Sequence, residues 1–228
     1  MNRTGGRSLD SMRPVEIQEF SLSTEIEYRH AVMFGDARLE RVAKALTLPP
    51  CGDYLNPAEI KLNRENEWFS YDLTAPLFRG AGVVRINASG IRLSFTQGRT
   101  KAHLDLMKAL TLAILREAKA GEVGRSLLAF TAHAIFQSPA DFNFTEHMKR
   151  YTALSPAVLS GGTVLVLGIP QIHGEFRYAS EKSLTHEHGI FMAANATVEC
   201  DVTEGLFTTL EEQLRAVAGL DGIRLSQG

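Results

Sequence analysis

Hydrophobic and polar residues first alternate with a period of two. Phe20, Leu22, Thr24, Ile26 and Tyr28 share one face, and Glu19, Ser21, Ser23, Glu25 and Glu27 share the other. This predicts a half-buried strand with one wet face. The period then lengthens: Leu39, Val42, Ala43 and Leu46 recur at helical spacing, Asp36 stands where a cap is expected, and Pro49-Pro50 stops the helix. Residues 51–58 read as a loop. Further strands are predicted at 59–62 and at 67–73, the latter carrying Trp68, Phe69 and Tyr71. A hairpin over 83–87 and 91–96 turns through Ala88-Ser89-Gly90. Thr100 opens a strong helix to about residue 120, with Leu104, Met107, Leu110, Ile114 and Leu115 on its apolar face and Gly121 as its stop.

The pattern then restarts. Leu128, Phe130, Ala132, Ala134 and Phe136 alternate. Ser138-Pro139-Ala140-Asp141 is a helix-start signature, for a helix through Met148 and Tyr151 to near Pro156. The run 163–169 is almost wholly apolar and β-branched and predicts a buried strand. Strands at 175–178 and 190–199 follow, and Thr203 opens a last helix with Leu206, Phe207, Leu210, Leu214 and Val217, ended by Gly219.

The expected fold class is therefore α+β, an internal duplication of a β-α-β-β-β-α unit with antiparallel sheets and helices packed on one face. The first repeat spans 14–121 and the second 122–228, after a flexible N-terminal arm at 1–13 that carries Arg3, Arg7 and Arg13. The repeat is one of pattern, not of letters. In element order it resembles duplicated sheet-and-helix folds of the saddle or tandem ferredoxin-like kind, and no motif carries a function across. Two such halves have apolar faces to shield, edge to edge or face to face.

Composition narrows the picture. Of 228 residues, 44% are hydrophobic and 22% charged, which excludes a disordered chain. The net charge of −2 supplies no basic field, and the first strand's wet face is acidic, so nucleic acid is not the favoured partner. Apolar stretches are too short or too interrupted to span a bilayer and the start carries no apolar leader. The expectation is a cytoplasmic protein without membrane contact, in which the sequons at Asn87, Asn143 and Asn195 are chance matches. Cys51 and Cys200 form no CxxC pair and read as thiols of a reducing compartment.

Candidate chemistry is sparse. His186-Glu187-His188 is a metal-ligating triplet if it lies on a strand, where both imidazoles point one way; His173 or Glu175 would have to help, and the solvated-loop alternative is the simpler one. His133 reads as a surface or interface histidine, and His30, His103 and His147 lack a partner at a recognisable spacing. Arg79, Arg85, Arg92 and Arg99 gather around the first hairpin, with Lys101 nearby, as the best anion- or partner-binding set. Glu65/Glu67 and Glu211/Glu212 read as solvated charge. No nucleophile elbow, phosphate loop or dinucleotide fingerprint exists; Ser160-Gly161-Gly162 and Gly80-x-Gly82 precede strands rather than helices. No catalytic residue and no cofactor are assigned. The favoured function is a non-catalytic binding or assembly protein that uses a sheet face or edge against a protein partner or a second copy. A small-molecule or metal-dependent enzyme with its site at the junction of the halves is one alternative, and nucleic-acid binding through the arginine set is the other.

Overall fold

Alternation of apolar and polar side chains along Arg13–Tyr28 produces the longest strand, β1, and the chain is organised around it. A computed structural model describes residues 13–33, 35–49, 51–64, 71–119, 121–137, 162–169, 174–220 and 223–225. After β1 come α1 (Asp36–Leu46), β2 (Lys61–Arg64), β3 (Tyr71–Leu77), β4 (Gly82–Asn87), β5 (Gly90–Gly98) and α2 (Lys101–Ala118). Then follow β6 (Val123–Phe136), β7 (Gly162–Ile169), β8 (Gly174–Lys182), β9 (Gly189–Val198), α3 (Glu204–Leu220) and β10 (Ile223–Leu225).

Among the described residues the ten strands form one sheet, ordered β2-β3-β4-β5-β1-β6-β9-β8-β7. All neighbours on this path are antiparallel. β10 lies off the path and pairs in parallel with the start of β1. The fold is thus α+β with a large antiparallel sheet. The segments before and after residue 121 meet edge to edge at β1–β6, where twelve residue pairs run from Val15↔Phe136 to Tyr28↔Val123.

Helices cover one face. Phe20, Leu22, Thr24, Ile26 and Tyr28 of β1 are buried, and they join Leu110 and Ile114 of α2 and Leu206 and Phe207 of α3 in a continuous core. The other face, which carries Ser21, Ser23, Glu25 and Glu27, stays half-open.

Local chemistry explains the element ends. Thr100 Oγ1 accepts the His103 amide at 3.3 Å and so caps α2. The β4–β5 turn closes over two residues rather than three, because Asn87 Oδ1 accepts the amides of Ser89 and Gly90 at 2.9 and 3.1 Å. Gly90 is required there: a Cβ would lie 1.8 Å from the Ile26 carbonyl oxygen.

Several expectations change. α1 starts from Gly35 as N-cap rather than Asp36, with no side-chain cap. Residues 51–53 form a 3-10 turn inside the expected loop, and a second at 57–59 takes the first residue of the strand expected at 59–62, which begins instead at Lys61. β1 begins at Arg13, inside the expected arm. α3 runs through Gly219 to Leu220. The run expected to be a buried strand, β7, is instead the last strand of the sheet, paired with β8 on one edge. Val164 and Val166 are exposed there, because they share rows with Ala179 and Arg177 on the face opposite buried Tyr178. The strand expected from residue 67, with Trp68 and Phe69, falls inside the described residues only from Tyr71. The helix expected from Ser138 to near Pro156, the rest of the arm, Glu65, Glu67, His147 and His173 lie outside them. No helix among the described residues is long and apolar enough to cross a membrane.

Candidate functional site

The arginine set divides. Arg85 and Arg92 face each other in register on β4 and β5, and the row continues through Glu25 to Leu127. Arg92 Nε donates to Glu25 Oε2 at 3.0 Å. On the next row Arg125 grips Glu27 with two hydrogen bonds of 3.0 and 2.7 Å. The acidic stripe of β1 is therefore neutralised by cations from its two neighbours. Arg85 and Arg92 line an open depression of about 500 Å³ with Glu25, Glu27, Tyr28 and Asn87. Arg79 and Arg99 do not line it. Arg79 sits in the β3–β4 connection with φ of 56°. Arg99 follows β5, where its amide donates to His103 Nδ1 at 3.2 Å.

The histidine triplet is not on a strand. Residues 186–188 form the β8–β9 connection, which sends the two imidazoles to different partners. His188 Nε2 lies 3.9 Å from its neighbour, Glu187 Oε2. His186 turns to β6, where its ring meets His133 edge-on with centroids 5.0 Å apart. Its Nε2 lies 3.9 Å from Glu19 Oε2 and is buried with no hydrogen bond. Glu175 belongs to the far end of β8 and pairs with Arg177 at 3.2 Å.

The His133–His186–Glu19 cluster is a convergence that linear spacing hides. A bulge between Gln18 and Ser21 puts Glu19 at φ 50°, a conformation that costs a non-glycine residue energy and is held by its surroundings. Ser183 completes the cluster. Its Oγ accepts the amides of Thr185 and His186 at 3.3 and 3.0 Å and lies 3.0 Å from His133 Nδ1. Ser183 Oγ also lies 3.3 Å from Thr185 Oγ1, so the one hydroxyl ties the turn to itself and to β6. Burial first, and His186 second, push the His133 pKa down, with Glu19 acting in the opposite sense. The cluster braces the β8–β9 turn against β6 and the β1 bulge. Among the described residues no three histidine, cysteine, aspartate or glutamate side chains come together to hold a metal ion.

Two further features escaped the spacing of residues. Glu211, expected to be solvated, is half-buried and ion-paired with Lys108 of α2, whose pKa is pushed down chiefly by burial. Between α2 and α3 lies a slot of about 80 Å³ with an apolar floor that includes Leu22, Leu128 and Phe176. The thiols do not form a reactive site: Cys51 and Cys200 are free, Cys51 is buried, and burial with a lesser effect of Glu117 pushes its pKa up to about 11.

No family model matches the chain, and no curated protein matches its sequence.

Proposed function

We propose that this chain is a non-catalytic assembly protein that pairs with a second copy of itself through the outer edge of β7. The observation that carries the reading is the character of that edge. β7 has eight residues, Gly-Thr-Val-Leu-Val-Leu-Gly-Ile, without charge or proline. Val164 is 64% and Val166 53% exposed. An extended, uncharged backbone edge is a template for another strand. A second β7, antiparallel about a twofold axis, would satisfy its amides and carbonyls. It would set Val164 and Val166 against their counterparts and bring no like charges together.

The chain is further read as an internal duplication, 14–121 and 122–228. The outward strand order supports this: β5, β4, β3 on one side of the β1–β6 seam and β9, β8, β7 on the other, with α2 and α3 closing the two sequences of strands. A cytoplasmic setting is supported by two free thiols. Nucleic acid is not favoured, since Arg92 and Arg125 are engaged by carboxylates of the chain itself.

Sedimentation velocity on the full chain, from about 1 µM to about 100 µM, tests the reading. The expected result is a monomer–dimer equilibrium that shifts toward dimer with concentration. A single monomeric species throughout overturns it.

A further inference from the structure

A cleft separate from β7 opens between α2 and α3 over the β1–β6 seam. Its inner part is the narrow slot of about 80 Å³, walled by Leu104 of α2 and Phe207 and Leu210 of α3. Phe130, Leu104, Lys108, Glu211 and Leu214 line this slot and also the wider mouth of about 370 Å³ beyond it. The two spaces therefore adjoin along these side chains, a greasy end beside a charged end.

The charges at the mouth do not cancel. Lys108 is ion-paired with Glu211 and lies 3.9 Å from Asp105, and Arg215 lies 3.7 Å from Glu211. Arg99 and Lys101, both exposed at the rim, have no ion pair among the described residues, and one further carboxylate, Glu16, lines the same mouth. The surplus is about one positive charge beside an apolar slot. Lys108 sharpens the point: its amine is set partly out of water against apolar side chains, where an added negative charge is favourable.

We infer that this cleft binds a small monocarboxylic acid with a medium-length unbranched apolar chain. The carboxylate meets Arg99 and Lys101, and the chain runs past Phe130 and Leu214 into the slot. Shape selects the chain, since the slot is narrow and has almost no polar wall. Charge selects the head group, and the small surplus suits a single negative charge rather than a polyphosphate.

Isothermal titration with octanoate, on the full chain at low salt, reads this directly. Octanoate is expected to bind, while octanol and acetate each bind at least about tenfold more weakly, because each lacks one of the two recognised parts. The rim double variant Arg99→Glu/Lys101→Glu, whose positions are exposed and outside the core, is expected to weaken octanoate at least about tenfold. Leu210→Trp, which fills the slot, should abolish binding. Val166→Lys on β7 should leave binding unchanged, so this inference and the assembly reading fail independently. No heat with octanoate, equal binding of octanol, or an unchanged affinity in the rim variant overturns the inference.

Discussion

The two ends of the sheet are built differently. β2 closes one end with four residues, Lys61-Leu62-Asn63-Arg64, two of them cationic. β7 closes the other with eight residues and no charge. A short charged edge is how sheets ordinarily resist pairing with other chains, and a long neutral one invites it. Among the described residues the sheet therefore has one guarded edge and one open edge. A chain with two open edges adds copies without limit, whereas a chain with one can only close on a twofold partner. On the proposed reading, this asymmetry would turn an aggregation hazard into a defined dimer.

Removing the guard should have the largest effect. Lys61→Thr with Arg64→Val makes β2 neutral, and Lys61 is exposed. With both edges open, the variant is expected to form species larger than a dimer, visible as a concentration-dependent rise in scattered mass. A variant that stays at the wild-type mass would show that charge does not guard the β2 edge.

Closing the open edge comes next in size. Val166→Lys places a cation on β7, and in a twofold pair a second cation arrives near it. The dimer is expected to weaken by about 3 kcal/mol, on the order of a hundredfold in dissociation constant. Thermal unfolding should barely move at a concentration where both proteins are monomeric, because Val166 is exposed. A dimer of unchanged affinity would place the contact elsewhere.

A pair of glycines separates the interior of the sheet from its edge. At Gly98, on β5, a Cβ would lie 2.2 Å from the Phe20 ring, which is 2% exposed and has no room to retreat. Gly98→Ala is expected to cost about 1–3 kcal/mol by overpacking. At Gly168, on β7, a Cβ meets nothing within 4 Å, and Gly168→Ala should stay within about 0.5 kcal/mol. Urea unfolding of the two variants measures both, and equal costs would mean that β7 is as tightly packed as β5.

The same contrast between interior and edge governs how much was readable in the residues. β1, the β4–β5 hairpin and α2 follow from local signals, namely alternation, a glycine-containing connection and a Thr cap, although β1 starts earlier, at Arg13, and the hairpin turn is one residue shorter than the pattern gives. The run 163–169 shows where such signals stop. A continuous apolar run is equally consistent with burial between two strands and with exposure at the end of a sheet, and only the strand order decides. The site residues show the same limit. His186 and His133 are 53 positions apart by number; they meet because β6 pairs with β9, and Glu19 joins them through the bulge in β1. Lys108 and Glu211 meet because their helices cross the same seam. β10 is three residues long and pairs only through the start of β1, too short to carry a periodicity.

The smallest effect concerns how the β8–β9 turn is held, and it should be felt near the β7 end rather than the β2 end. His133 has its pKa depressed below the ordinary 6.5 by burial and by His186. Below pH 6.5 the unfolded chain takes up this proton more readily than the folded one. The stability supplied by neutral His133 is thus complete above its unfolded pKa, and it is lost as the pH falls from there through the lower folded value. Protonation also makes both ring nitrogens donors, so Nδ1 can then only donate to Ser183 Oγ, which already accepts two amides. The midpoint of urea unfolding is expected to fall modestly as the pH drops from about 7 to about 5. His133→Gln, which keeps a polar group but cannot titrate, should flatten that part of the profile. A profile of unchanged slope in the variant would mean that another group controls stability over this range and that the imidazole pair does not brace the turn.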